Sequence, residues 1–277
     1  MRCNYSASQL RETARAIRLG ALEGVYRAGS GHIGGSLSIA EMLSALYFHE
    51  MDVDPQRPDW ADRDRFVLSK GHAAPAYYAA LAEHGYFPKE LLKTLRKIDS
   101  PLQGHPDRKK TPGVDMSSGS LGQGISAAAG MACYAKKQGK AFRVYCILGD
   151  GEMQEGEVWE ALMSAAHYGL SNFTVLLDNN DLQIDGNVGS VMSIYPVREK
   201  VEAFNWQVLE ADGHDVDALC RALDEARAET ERPSFIICKT TKGKGVSYME
   251  NQAGWHGAPI PDEPYAIAMR ELNSQEV

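Results

Sequence analysis

Leu10, Ala14, Ile17 and Ala21 recur at helical spacing along SASQLRETARAIRLGALEGVYRAG, which predicts a long helix capped by Ser8 and stopped by Gly29. Ser30 to Gly35 reads as a glycine-rich loop that displays His32 just before the next helix, SIAEMLSALYF, where Ser38 and Glu41 form a capping-box pattern. From Arg65 the pattern changes. Short apolar runs at Arg65 to Leu68, Val144 to Leu148, Phe173 to Leu177, Trp206 to Glu210 and Ser234 to Lys239 alternate with helical stretches. Such alternation predicts an α/β fold with a mostly parallel central sheet flanked by helices. The chain reads as one domain, 1–277, whose last stretch, 257–277, is a terminal helix or tail.

Within this pattern Val144 to Gly186 forms one strand, turn, helix, strand, turn unit. In a parallel sheet both of its turns open at the carboxyl ends of the strands, the edge where ligands of open α/β sheets bind. Asp150 follows the first strand and Asn180 the second, so the two can face each other. One carboxylate, one amide oxygen and a carbonyl freed by the turn Asp181-Leu182 would suit a hard cation and leave three octahedral positions. Gly151 would let a diphosphate approach the backbone, and the following helix adds its positive end. Taken singly, Asp150 reads as a helix cap and Asn180 as a turn residue; their paired placement points to a site.

Ser117 to Gly124 opens an Ala-rich helix, where free backbone N–H groups would attract an anion. Gly122, Gly124 and Ala127 match a dinucleotide spacing, but no good strand precedes them and no ribose-binding acid follows. His72 lies in a strand-to-helix turn, His105 in a long loop and His256 in GWHGAP. Capping or a satisfied, partly buried ring is the alternative for a lone histidine such as His72.

Composition narrows the partners. The net charge of −8 argues against nucleic acid and anionic membrane, and a polyphosphate would need a cation to bind here. Five scattered cysteines without C-x-x-C pairing fit reduced thiols. No apolar run is long enough to span a bilayer and no secretory signal core begins the chain, so the expected compartment is cytoplasmic.

GDG at 149–151 with NN at 179–180 resembles the thiamine-diphosphate motif. The ordered series SGHIGG, SKGHAAPAYYA, GHP, SSGSLGQG, GDGEMQEG, DNNDLQIDG, KTTKGKG and HGAP resembles the amino-terminal, diphosphate-binding domain of transketolase over most of the chain. The resemblance implies a thiamine-diphosphate-binding fold in which Asp150, Asn180 and the Leu182 carbonyl hold Mg²⁺ or Ca²⁺. It places Gly151 and Asn180 at the diphosphate, Gly119 and Leu121 at the aminopyrimidine side and Ile184 near the rings. His32, His72, His105 and His256 would converge on the reacting carbon, with His72 and His256 also touching the cofactor. Imidazoles that titrate near neutrality suit repeated proton transfer among sugar hydroxyls and carbonyls. Glu155 and Glu160 match acidic residues near a subunit interface and read equally as ordinary helix charges. Ile33 and Ser120 depart from the family, standing where prolines are usual.

Full-length transketolases continue with a pyrimidine-binding and a carboxy-terminal domain, which supply the cofactor-activating glutamate and most of the sugar-phosphate grip. The resemblance therefore implies the first subunit of a split transketolase that moves a two-carbon ketol unit from a ketose, such as a ketose phosphate, to an aldose. A separate carboxy-terminal subunit would complete the cleft, two copies of each forming a heterotetramer with an interface above about 2,000 Å². The competing readings are a deoxyxylulose-phosphate synthase fragment, the α subunit of a 2-oxo-acid dehydrogenase, and a non-catalytic regulatory subunit that keeps the fold. The four histidines and HGAP favour transketolase.

Overall fold

The computed structural model describes residues 3–274. Its strands are β1 (Arg65–Leu68), β2 (Val144–Gly149), β3 (Phe173–Asn179), β4 (Leu182–Gln183), β5 (Gly186–Asn187), β6 (Gln207–Asp212) and β7 (Ser234–Lys239). The five longer ones pair in parallel in the order β1-β2-β3-β7-β6, and β4 and β5 form a short antiparallel pair in the loop beyond β3. The helices are α1 (Ala7–Ala28), α2 (Gly34–Leu37), α3 (Ala40–Ala45), α4 (Ala74–His84), α5 (Gln123–Lys137), α6 (Gly156–His167), α7 (Val188–Val191), α8 (Val197–Ala203), α9 (Val216–Ala228) and α10 (Asp262–Ser274).

The central strands β2, β3 and β7 are mostly apolar because both faces of the sheet are covered there, whereas edge strand β6 carries exposed Glu210 and Asp212. Tyr145 and Ile147 of β2 turn to one core with Leu176, Ile236 and the buried residues of α1, α3, α4 and α9. Val144, Cys146 and Leu148 turn to the other, with Val175, Phe235 and the apolar stripes of α5 and α6. Alternation along each strand thus splits one apolar run between two cores. The parallel register sets Gly149 beside Asp178 and Asn179 beside Lys239, so the loops after β2, β3 and β7 leave the sheet side by side.

Several local expectations change. The cap of α1 is Ser6 rather than Ser8: Ser6 Oγ accepts from Gln9 N and the Gln9 side chain accepts from Ser6 N, a complete capping box. Ser38 and Glu41 form no such box. Ser38 Oγ donates instead to Asp178 Oδ2 at 2.7 Å, and Glu41 pairs with Arg18, so each finds a stronger buried partner far along the chain. The glycine-rich loop closes into the helical turn α2, where bare glycines admit neighbours: a Cβ on Gly34 would stand 2.9 Å from Trp255 O. The terminal helix forms as α10, and 275–277 lie outside the described residues.

Candidate cofactor site

At the end of β2, Asp150 begins a tight helical turn, Gly151–Gln154. Its Oδ1 accepts from Gly151 N at 2.7 Å and its Oδ2 from Asp181 N at 2.5 Å, which ties the β2 and β3 turns together. Asp181 has a positive φ of 57°, and this bend brings Asn180 Oδ1 within 3.1 Å of Leu182 N. Burial first, and the charge of Asp178 second, push the Asp150 carboxyl up to about 7. A buried carboxylate so placed is a demand for positive charge. Leu182 O already accepts from the Lys242 ammonium at 3.1 Å. The oxygens of Asp150, Asn180 and Leu182 are hard donors that fit Mg²⁺ or Ca²⁺.

All eleven residues expected at the site line one cavity of about 410 Å³. His32 is central among the histidines, its ring centre 5.3 Å from His72, 5.3 Å from His256 and 6.3 Å from His105; His72 and His256 are 4.9 Å apart. Glycines allow this crowding. A Cβ on Gly257 would lie 3.2 Å from the His32 ring, and one on Gly119 would lie 3.1 Å from the His105 ring. Ile184 stands at the rim, 67% exposed, and Glu155 also lines the cavity. Glu160 does not: it lies in a separate groove between α5 and α6.

The four imidazoles are shifted away from their unperturbed titration near neutrality. Burial, then neighbouring cations, lower His32 to about 4 and His256 to about 3; His105 is lowered and His72 falls well below its ordinary value. Arg96 acts on His32 and His105, Lys70 on His72 and Lys242 on His256. At neutral pH the cluster therefore offers neutral rings that accept or donate hydrogen bonds. His32 Nδ1 is buried without a hydrogen-bond partner among the described residues.

Two of the amides expected to be free at the start of α5, those of Gly122 and Ile125, have partners within the protein. Glu152 Oε1 accepts from Gly122 N at 2.9 Å and from Ser69 Oγ at 2.5 Å, while Ile125 N donates to Ser69 Oγ. The anion at that helix start is the protein's own carboxylate. Glu152, Lys70, Asp178 and Lys242 are the charged residues of the inner wall among the lining residues that sequence reasoning gave no role. Each sits inside a quoted motif (GDGE, SKGH, DNN, KTTKGKG), but their pairing is tertiary.

The model of the family described as "Transketolase, thiamine diphosphate binding domain" matches residues 9–275. The chain is 44% identical over 266 residues to the "6-deoxy-6-sulfo-D-fructose transketolase subunit SqwG" of Clostridium sp. (strain MSTE9), covering 96% of this chain and 97% of that one. It is 41% identical over 254 residues to one subunit of the apulose-4-phosphate transketolase of Phocaeicola vulgatus, covering 92% and 90%. The solved transketolase from Leishmania mexicana superposes with a TM-score of 0.90 at 35% identity over 95% of this chain, and the chain spans 41% of that protein's length. With the family model matched almost end to end, the chain belongs to the transketolase family, as its amino-terminal, thiamine-diphosphate-binding domain.

Proposed function

We propose that the chain is the diphosphate-anchoring subunit of a two-chain transketolase that transfers a two-carbon ketol unit between sugars carrying a phosphate or a comparable anionic group. The observation that carries this reading is the meeting of four neutral imidazoles with the Asp150, Asn180 and Leu182 oxygens in a single cavity. Asp150, Asn180 and the Leu182 carbonyl would hold a divalent cation, Mg²⁺ or Ca²⁺, which would supply positive charge for a diphosphate. Lys242, on the cavity wall, adds positive charge there, Lys70 being paired with Asp178, and Gly151 lines the cavity without a side chain in the way. Gly119, Leu121 and Ile184 would bear on the organic rings.

When bound, thiamine diphosphate supplies the nucleophilic carbon and electron sink of the reaction. This chain's residues do the rest of its share. The unpartnered His32 Nδ1 and the rings of His105 and His256 offer hydrogen bonds to substrate oxygens, and His72 serves both substrate and cofactor sides.

The partner is a chain with the pyrimidine-binding and carboxy-terminal domains, and two copies of each make the assembly. Two relatives of nearly the same length bear the name of transketolase subunits, whereas the single-chain enzyme from Leishmania mexicana is more than twice as long as the part matched. No described helix is long and apolar enough to cross a membrane. Five free cysteines fit a reducing, cytoplasmic setting.

Reconstitution tests the proposal. The purified chain alone should transfer little or no ketol unit, and mixing with the carboxy-terminal chain should restore transfer from a ketose donor to an aldose. Robust transfer by the single chain, or turnover of pyruvate in place of a ketose by the mixture, would overturn it.

A further inference from the structure

Arg18, Glu41 and His214 sit behind the cavity wall on three different parts of the fold: α1, α3 and the turn between β6 and α9. Arg18 and Glu41 form a two-pronged pair, both N–O distances 2.6 Å, with side chains 4% and 9% exposed. Arg18 Nε also donates to Leu37 O at 3.1 Å, which fixes the guanidinium plane. Burial opposes ionisation of Glu41, but Arg18 and His214 hold it down to about 2, so it is a carboxylate. Each of its oxygens keeps a lone pair that can accept more. His214 Nδ1 lies 3.1 Å from Glu41 Oε2, and on the far side of the ring His214 Nε2 lies 2.8 Å from Thr241 N.

The direction of this chain follows from donor inventory. A backbone N–H can only donate, so Nε2 must be the bare nitrogen and the ring proton must sit on Nδ1, pointing at Glu41. Glu41 thereby selects the tautomer that can hold the Thr241 amide. Thr241 immediately precedes Lys242, whose ammonium reaches Leu182 O at 3.1 Å and His256 Nδ1 at 2.9 Å. Neighbouring amides of the same loop are held by backbone oxygens, Thr240 N by Asn179 O and Gly243 N by Gly34 O. The Thr241 amide is held by the imidazole.

We propose that His214, oriented by the buried Arg18–Glu41 pair, is a positioning residue that sets Lys242 against Leu182 and His256 in the cofactor cavity. Its importance for binding rests on the reading of Lys242 as a diphosphate-facing charge; its effect on where Lys242 lies does not. Outer partners of this kind change ligand affinity by about 10–100-fold when removed, without touching the ligand.

Two substitutions separate positioning from simple filling of space. In His214→Gln the side-chain oxygen reaches the place of Nε2 and can accept from Thr241. In His214→Asn the amide reaches only the place of Nδ1, where it still satisfies Glu41 but leaves Thr241 without its acceptor. Both full-length variants are titrated with thiamine diphosphate and Mg²⁺ in the assembled complex, and their ligand-free crystal structures are solved.

The expected result is an affinity within a few-fold of the parent for Gln and at least about tenfold weaker for Asn, with the Lys242–Leu182 contact kept in Gln and lost in Asn. A Lys242 ammonium still on Leu182 O in the Asn variant would overturn the proposal, and equal affinities with Lys242 displaced would overturn its consequence for binding. If the Asn variant does not fold, Gln alone decides: parent-like affinity and Lys242 placement support it, and loss of both refutes it. A parent protein that fails to bind thiamine diphosphate would remove the functional reading instead, and the crystal structures would still decide whether His214 places Lys242.

Discussion

Lys70 and Asp178 form an ion pair beneath the cavity in which the side chains are 3% and 0% exposed, the ammonium donating to Asp178 Oδ2 and, at 2.9 Å, to Gly35 O. Ser38 Oγ and Asn180 Nδ2 also converge on Oδ2, and Thr240 Oγ1 donates to Oδ1. The pair thus ties the end of β3 to α2, to the turn before α4 and to the loop after β7. Removing one member of a buried pair leaves a charge without compensation, at a cost of about 3–5 kcal/mol. Lys70→Met should lower the unfolding free energy by about that amount in a denaturant titration. Adding Asp178→Leu should recover only part of the loss, because Thr240 Oγ1 and Asn180 Nδ2 would then lack the acceptor they have here. A single variant as stable as the parent would show the pair to be dispensable.

Asp150 presents the opposite balance. Its burial beside Asp178 raises its pKa, so the ligand-free fold gains little from its charge. Asp150→Asn keeps an acceptor for only one of the Gly151 and Asp181 amides and turns its NH2 towards the other, so the ligand-free unfolding free energy should fall by about 1–3 kcal/mol, less whatever relief comes from removing a buried charge. The thermal stabilisation by thiamine diphosphate with Mg²⁺ should nearly vanish. For the parent at one hundred times the dissociation constant, that stabilisation amounts to about 2.7 kcal/mol. An undiminished shift in the variant would refute the metal assignment.

The legible parts of this protein are those where one strand decides the outcome. Asp150 and Asn180 could be placed opposite each other because parallel strands deliver both turns to one edge, whatever surrounds them. Ser38 and Glu41 show where this reasoning stops. Their spacing is that of a capping box, but Asp178, 140 residues away, and Arg18 compete for them, and buried charges prevail over an exposed cap. The histidines show the same limit in their chemistry. Their meeting follows from the family resemblance, whereas their low basicity arises from burial and from Arg96, Lys70 and Lys242 acting through space.

That low basicity is measurable at His32. Its folded-state pKa of about 4 lies below the ordinary value of 6.5, so between these limits the unfolded chain binds the proton and the folded chain does not. The stability contributed by the neutral ring is complete above pH 6.5 and is lost as pH falls from 6.5 towards 4. In a ring-nitrogen NMR titration of the ligand-free chain, His32 should stay neutral down to about pH 4. A midpoint near 6.5 would mean that burial and the field of Arg96 are weaker than this geometry implies.

Two glycines on α5 should respond to alanine with opposite signs. A Cβ on Gly124 would stand 2.6 Å from Ser69 Cα and 2.7 Å from Ser69 Oγ, and a backbone atom cannot rotate aside. Gly124→Ala must therefore part the start of α5 from the end of β1, costing about 1–3 kcal/mol of stability. Ser69 leads directly into Lys70 and His72, so the same shift should weaken thiamine diphosphate binding. Six residues further along the helix, a Cβ on Gly130 meets nothing within 4 Å. Gly130→Ala should raise stability by about 0.5–1 kcal/mol through helix propensity alone and leave binding unchanged. Denaturant unfolding of the two variants side by side, with a cofactor titration of each, tests the close approach of β1 to α5. Equal effects at the two positions would show that the contact at Ser69 yields and does not constrain the site.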